Sequence, residues 1–506
     1  MSEAGRVSLV GAGPGDPGLL TVRAAEVLRS ADVLLYDALA SAVIVNLVPR
    51  ACERIYVGKR GGDHAMPQAQ IEELMVEKAR EGRHVVRLKG GDVFVFGRGG
   101  EEAQTLREAG IAFEVIPGVT SAIAAPAYAG IPVTHRDYNP VFTVATGHED
   151  PTKPESTIDW RKLADPHRTL ILLMAMGNLQ GISLRLIENG LDAQTPVAVI
   201  SDGTRPSQKT VTGSLGTIAQ VAEREGVRAP AIVVVGEVVR LRDELRWFDN
   251  TALFGKRILI TRPAHQAESF ANALYSRGVE PILASTITIG PPDDIYPAHR
   301  AIDELSRYGW VVFTSQNGVD AFFERLASLD TDARYFGKTR VAAIGAKTAE
   351  RLQSYGIRPD LVPNAFISEE VGRALIETTV DGERILIYRA QEARDVLPQM
   401  LEDAGRVPTI VAAYKTSFET DPEFGAKVSQ ADVLTFTSAS TVAGFAQMLG
   451  SNANAVSAAS GKVVACIGPI TAEAAEETGL HVDVVADVYT TDGLLDALHA
   501  HFALHA

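Results

Sequence analysis

From Arg6 onward, short apolar runs alternate with stretches in which apolar positions recur every three or four residues: VSLV, TVRAAEVLRS, DVLLYD, IEELMVEKAREG, HVVRLKG. This alternation predicts strands followed by amphipathic helices, the grammar of an α/β fold. It continues through TLILLMAMG and TPVAVIS to APAIVVVGEVV, whose β-branched run predicts a buried strand. The segment VRLRDELRWFDNTALFGKR is charged and then irregular, and a fresh strand RILITRP follows it. The pattern therefore places a junction near residues 246–255, with units at 1–247 and 255–506 and a linker at 248–254.

The second unit repeats itself. Phe313-Thr314-Ser315 returns as Phe436-Thr437-Ser438, and 436 − 313 is 123; Ile344-Gly345 with Thr348-Ala349 returns as Ile467-Gly468 with Thr471-Ala472, and 467 − 344 is again 123. RILITR at Arg257 returns as RILIYR at Arg384, where 384 − 257 is 127. Two copies of one α/β unit predict a ligand cleft between them. PILASTIT from Pro281 and PTIVAAYKT from Pro408 are candidates for paired crossover strands. One lobe would then come from about 255–286 plus 416–506, the other from about 289–412, with a two-stranded ladder as hinge.

Charge narrows the partners. A formal net charge of −15 without a basic run argues against nucleic acid, which is held by clustered Lys and Arg. An anionic small substrate remains compatible, because a site can gather arginines locally. Cys52 and Cys466, the only cysteines, have no metal-ligand spacing and fit a reducing compartment. MSEAGR leads directly into a strand, and no apolar run approaches the ~20 residues that cross a bilayer, so a cytoplasmic protein without membrane contact is expected.

The first unit carries two glycine loops. In VSLVGAGPGDPGLLT, Gly11 and Gly13 match the start of a dinucleotide fingerprint, but Asp16 stands at its third position. Pro14 and Pro17 each delete an N–H that an anion nest would use. In LKGGDVFVFGRGGEE, Gly90 and Gly91 allow close backbone approach, while Asp92, Glu101 and Glu102 oppose phosphate. Such loops suit a neutral or cationic ligand, for example a nucleoside bearing a sulfonium; a tight turn with capping acids is the competing role.

GAGPGDPGLLT, ADVLLYD, VGKR, VVRLKGGDVFVFGRGGEE, IPGVTSAIAAPAYAGIPVTHRD, TGH and PAIVVVGEVV, in that order over residues 6 to about 247, resemble the uroporphyrinogen-III C-methyltransferase branch of the tetrapyrrole methylases. The resemblance implies two α/β lobes, S-adenosylmethionine between them, and a homodimer. It implies cofactor contacts from Pro14, Gly90, Gly91, Asp92, Val95, Thr120, Ser121, Met174 and Gly203, with Asp37 as proton acceptor and Lys59 as proton donor or charge partner. Two departures stand out: Val93 replaces the proline usual after GGD, and MAMG lacks the usual aromatic, so Met176 competes with Met174. For a polycarboxylate acceptor the candidate cations are Arg87, Lys89, Arg98 and Arg136, with a solvated surface cation as the competing role.

The repeated FTS and IG..TA strings, KRILITRP and YKT resemble uroporphyrinogen-III synthase across 255–506. That resemblance implies a cofactor-free closure of hydroxymethylbilane with ring inversion, followed in the first unit by methylation to precorrin-2. Thr314, Ser315, Thr437, Ser438, Ser440 and Thr471 are candidates to face the cleft, with helix capping as the competing role. Tyr414 is the family counterpart expected to assist departure of the hydroxyl, and Arg262 and Arg389 are expected as symmetric cations with Lys415 behind them. The alternative outside catalysis is a second unit that only binds tetrapyrrole or regulates.

Overall fold

The computed structural model describes residues 5–58, 66–148, 158–363 and 368–504. It is an α/β structure of four five-stranded sheets, two in each half.

The first sheet contains β1 (Arg6–Gly11), β2 (Val33–Tyr36), β3 (Glu53–Tyr56), β4 (His84–Lys89) and β5 (Ala112–Ile116), in the order β3-β2-β4-β1-β5. All its pairings are parallel. Parallel sheets are covered on both faces, and β4 is buried at every position. The second sheet contains β6 (Val141–Thr146), β7 (Arg168–Leu173), β8 (Pro196–Ser201), β9 (Lys209–Ser214) and β10 (Ala231–Val235), in the order β6-β7-β10-β8-β9. Here only β6 and β7 run parallel; β10 is antiparallel to both its neighbours. The helix Ser121–Tyr128 packs its small residues Ala122 and Ala125 against this sheet.

In the second half, β11 (Arg257–Ile260) and β12 (Glu280–Leu283) are followed by β13 (Ile287–Gly290), β14 (Trp310–Phe313), β15 (Arg340–Ala343), β16 (Arg384–Ala390) and β17 (Val407–Phe418). The chain then adds β18 (Val433–Phe436), β19 (Val463–Cys466) and β20 (Val484–Val485). The sheets read β12-β11-β18-β19-β20 and β13-β17-β16-β14-β15. The 123-residue repeat persists at single hydrogen bonds. Val341 N donates to Asp360 Oδ2 and Val464 N to Asp483 Oδ2, each at 2.8 Å, and 464 − 341 and 483 − 360 are both 123. The chain crosses between the lobes twice, where β13 pairs antiparallel with the end of β17, from Ile287↔Phe418 to Gly290↔Lys415.

The segment joining the halves is packed. Phe248 is buried, with its ring edge-on to Tyr128 of the first half at 4.7 Å and to Phe254 at 5.5 Å. Leu253 is buried in the core of the lobe built on β11. The Tyr275 hydroxyl donates to the Gly15 carbonyl at 3.3 Å. Among the described residues no helix is long and apolar enough to cross a membrane. Truncating a fully buried Phe typically costs about 3–5 kcal/mol. Phe248→Ala is therefore expected to lower the unfolding temperature of the whole chain in calorimetry, and Trp247→Ala, at a half-exposed neighbour, to lower it much less.

Candidate active sites

The strands of the first sheet all end at one edge, and open α/β sheets bind ligands beyond that edge. There the loops after β1 and β4 join through reciprocal backbone hydrogen bonds, Gly91 N to Gly13 O at 2.7 Å and Gly13 N to Gly91 O at 3.1 Å. Gly91 has φ +68°, a conformation glycine adopts without strain. A Cβ on Gly90 would lie 2.5 Å from Leu39 Cβ. Phe96, Arg98, Met174 and Asp202 also hold positive φ, between +48° and +59°. Residues held in sparsely populated backbone regions concentrate at ligand sites, and all four of these line the same cleft.

That cleft has a volume of about 760 Å³ and takes its walls from both sheets of the first half. It brings together Pro14, Gly90, Gly91, Asp92 and Val95 with Thr120, Ser121, Met174 and Gly203. Asp37, Arg87, Lys89 and Arg98 also line it, as does Met176, the competitor of Met174. Arg136 does not; it is exposed on the loop before β6, because the chain after Ile131 turns away from the cleft mouth. Lys59 lies outside the described residues. Gln68, Asp202 and Arg205 are lining residues that sequence reasoning missed. Arg205 donates to the Leu39 carbonyl at 3.0 Å and so ties the second sheet to the loop after Asp37. Nothing local in DGTRP marks it for this contact.

The acids of the glycine loop do not all face the ligand space. Asp92 is an internal brace: Oδ1 accepts from Phe94 N at 2.8 Å and Val95 N at 3.2 Å, and Oδ2 from Gly118 N at 3.0 Å. Asp16 is likewise turned inward, accepting from Gly18 N at 2.7 Å and from the Tyr128 hydroxyl at 2.6 Å. Glu102 is fully buried, and its Oε1 accepts from Lys89 Nζ at 2.7 Å, Gln68 Nε2 at 3.1 Å and Arg87 Nε at 3.3 Å. Arg87 and Lys89, expected as substrate cations, are thus held by a carboxylate at the cleft floor. Burial, then the neighbouring Arg87, lowers the Lys89 ammonium from its usual 10.5, against the pull of Glu102. The Arg87 guanidinium also reaches Asp37 Oδ2 at 3.5 Å, while Asp37 Oδ1 accepts from Leu39 N at 3.1 Å. Arg98 pairs with Glu101 at 2.6 Å in an exposed bridge, a class worth about 0–1 kcal/mol.

In the second half the repeated FTS strings end β14 and β18. Ser315 and Ser438 cap the helices Gln316–Ser328 and Ala439–Met448, accepting from Gly318 N at 3.1 Å and Thr441 N at 3.3 Å. Ser440 Oγ lies 2.9 Å from Ser438 Oγ. Thr314 and Thr437 are half-buried just past the strand ends. Thr471 is a correction: it is buried under the first turn of the helix Pro469–Glu477, on the face packed against the sheet, and does not reach a cleft. Arg389 is another. Its guanidinium is held inside its own loop, by the Arg394 carbonyl at 2.6 Å and Asp395 Oδ1 at 2.5 Å. Lys415 pairs with Asp293 at 2.8 Å.

Arg262 differs from its repeat partner. Burial alone lowers its guanidinium from the ordinary value, and among the described residues no acid pairs with it. Tyr414 sits in β17 where the ladder to β16 slips by one residue, Arg389 facing Ala412 and Ala390 facing Tyr414. Such bulges re-aim side chains. Burial pushes the Tyr414 phenol above its ordinary value, while hydrogen bonds with Ser315 and Asn317 pull it back.

An α/β half with a backbone-lined cleft, joined to a two-lobed repeat with crossed hinge strands, defines a pair of fused small-molecule enzymes. Residues 6–219 match the family model of the tetrapyrrole (corrin/porphyrin) methylases, and residues 268–496 that of uroporphyrinogen-III synthase HemD. The porphyrin biosynthesis protein HemD of Ruminiclostridium josui is 38% identical over 501 residues, covering 98% of each chain. A S-adenosyl-L-methionine-dependent uroporphyrinogen III methyltransferase of Methanosarcina barkeri is 54% identical over 48% of this chain and 94% of its own length. The siroheme synthase of Pseudomonas entomophila is 49% identical over 49% of this chain and 54% of its own length, so the chain spans about half of that relative. Among solved structures, a Thermus thermophilus uroporphyrin-III C-methyltransferase complexed with S-adenosyl homocysteine is 40% identical, with a TM-score of 0.40, over 47% of this chain and 94% of that one. The chain belongs to the fused tetrapyrrole-biosynthesis family in which a tetrapyrrole methylase precedes a uroporphyrinogen-III synthase. It is an enzyme of both kinds, a methyltransferase and a synthase.

Removing one member of a buried ion group leaves the others uncompensated, at about 3–5 kcal/mol. Glu102→Ala, which strands Arg87 and Lys89, is expected to destabilise the methyltransferase half by that order in chemical denaturation, and Glu101→Ala, in an exposed pair, to leave it nearly unchanged.

Proposed function

We propose that the synthase half closes hydroxymethylbilane to uroporphyrinogen III with inversion of ring D. The methyltransferase half then methylates that product at C2 and C7, using S-adenosylmethionine, to give precorrin-2. The observation that carries this reading is the convergence of both glycine loops, Thr120–Ser121, Met174 and Gly203 on one cleft with Asp37 in its lining. The lining fits an adenosyl sulfonium rather than a phosphate: Pro14 and Pro17 offer no N–H, Asp92 and Glu102 are engaged internally, and Gly90 and Gly91 leave the main chain bare. Gly90 to Val95, Pro14, Thr120, Ser121, Met174 and Gly203 are the proposed contacts.

When bound, S-adenosylmethionine supplies an electrophilic methyl group. The chain's own residues position the acceptor and manage its proton and charge. Leu39, Val95, Leu173 and Ile232 give the cleft walls that exclude water. Asp37, steadied by Arg87 and by Leu39 N, is the proposed acceptor of the proton lost by the alkylated pyrrole ring. Arg98 can exchange Glu101 for a substrate carboxylate at little cost, because the pair is exposed. Lys59 and Arg136 keep the roles the family resemblance gives them. A homodimer through the methyltransferase half belongs to the same proposal; exposed Val141 and Phe142 on the edge strand β6 are apolar surface that such an assembly would cover.

In the synthase half, Tyr414 is the proposed donor to the departing hydroxyl, and Arg262, buried without an acid, the proposed holder of a substrate carboxylate. Ser315, Ser438 and Ser440 line the approach, together with Thr314 and Thr437. A coupled assay from hydroxymethylbilane, with and without S-adenosylmethionine, tests both halves. The whole chain is expected to give uroporphyrinogen III alone and precorrin-2 when the cofactor is added. Asp37→Ala should slow methylation by about 10²-fold or more, the usual worth of a general base, with cyclisation intact. Tyr414→Phe should slow cyclisation while methylation of supplied uroporphyrinogen III is unchanged. Recovery of only the spontaneously closed type I isomer from the unaltered chain would leave the second half a binding or regulatory unit.

A further inference from the structure

The lobes of the synthase half are joined by more than their hinge. Asn317, in the first turn of the helix Gln316–Ser328, accepts from Gln266 Nε2 at 2.7 Å through its Oδ1. Gln266 belongs to the helix Ala264–Tyr275 of the other lobe, and its own Oε1 accepts from the Arg262 guanidinium at 3.3 Å. On its other side Asn317 hydrogen-bonds the phenol of Tyr414, as does Ser315. One string of side chains therefore runs from Arg262, across the gap between the lobes, to Tyr414.

The donor inventory gives this string a direction. An Asn amide has one acceptor oxygen and one donor nitrogen. With Oδ1 taken by Gln266, what Asn317 presents to Tyr414 is an N–H, so the phenol oxygen accepts. The phenol proton is then left free to point away from both partners. We propose that Asn317 is a positioning residue of the synthase: by donating to the Tyr414 oxygen it aims the phenol proton toward the departing hydroxyl, and its grip on Gln266 makes that aim depend on the lobes being together. This rests on the reading of Tyr414 as the donor. The other charged groups facing Tyr414 and Asn317 are Glu392 and, through Gln266, Arg262.

Asn317→Asp is the sharp test, because an ionised carboxylate accepts the phenol proton instead of donating to the phenol oxygen. In the whole chain, kcat for uroporphyrinogen III formation from hydroxymethylbilane should fall about tenfold or more at neutral pH, with KM changed much less. It should recover as acid protonates the new carboxyl, giving a limb in the pH profile that the unaltered protein lacks. In a Tyr414→Phe background the same substitution should cost nothing further. Gln266→Ala should lower kcat without adding the acid limb. Methylation of supplied uroporphyrinogen III serves as the folding control and should not move. If Tyr414→Phe is fully active, the reading of Tyr414 fails and this inference with it. If Tyr414→Phe is impaired but Asn317→Asp shows no acid limb, or its loss adds to that of Tyr414→Phe, the positioning role of Asn317 alone is overturned.

Discussion

A Cβ on Gly11 would lie 2.5 Å from the backbone nitrogen of Gly118 and 2.7 Å from the carbonyl oxygen of Gly91. At this point three stretches of main chain, leaving β1, leaving β4 and approaching the helix Ser121–Tyr128, touch with no side chain between them. Asp92 closes the contact by accepting from Gly118 N and from two amides of its own loop. The rest of the cleft follows from this knot. It sets where Pro14 and Val95 stand, it brings Thr120 and Ser121 into the lining, and it leaves bare backbone where an adenosyl group needs close approach. It also explains why the carboxylate of a loop that looks hostile to anions contributes little field to the ligand space.

The synthase half reaches a comparable end by repetition. Each lobe ends a strand in Phe-Thr-Ser, and the serine adopts nearly the same extended conformation in both copies, φ −164° at Ser315 and −167° at Ser438, to cap the next helix. A symmetric scaffold of this kind supplies matched edges, but the chemistry lies where the symmetry fails. Arg262 is buried and acid-free, whereas Arg389 is neutralised in its own loop. The bulge at the end of β16 and the long strand β17 give one lobe a tyrosine at the hinge, and the register of β17 fixes which residue it is.

What could be read from the sequence was local or periodic. The alternation of apolar runs implied α/β layering, the constant 123-residue spacing implied two copies of one unit, and the glycines implied loops at strand ends. What could not be read was the direction in which a charged side chain turns. Glu102 and Glu101 are neighbours in GRGGEE, yet one is fully buried under Arg87 and Lys89 and the other is half-exposed beside Arg98, a difference set by helix phase against the sheet. Arg389 looked equivalent to Arg262 because the strands match; Asp395, six residues on, decides otherwise. Arg205, Gln68 and Asn317 belong to contacts between segments distant in sequence, and no spacing rule announces those.

The joint between the halves bears on how such a fusion is inherited. Phe248 and Leu253, in what reads as a spacer, are core residues, and the Tyr275 hydroxyl rests on the carbonyl of Gly15, next to Pro14 in the methyltransferase cleft. The helix that ends in Tyr275 begins at the edge of the synthase cleft, with Gln266 in its first turn. A recombination event that brought in a free-standing synthase would have to supply an aromatic at both contact points or leave Tyr128 and the Gly15 carbonyl exposed to water. The two genes, once joined, are therefore held to a shared vocabulary at the seam, and residues there evolve as parts of one protein rather than of two.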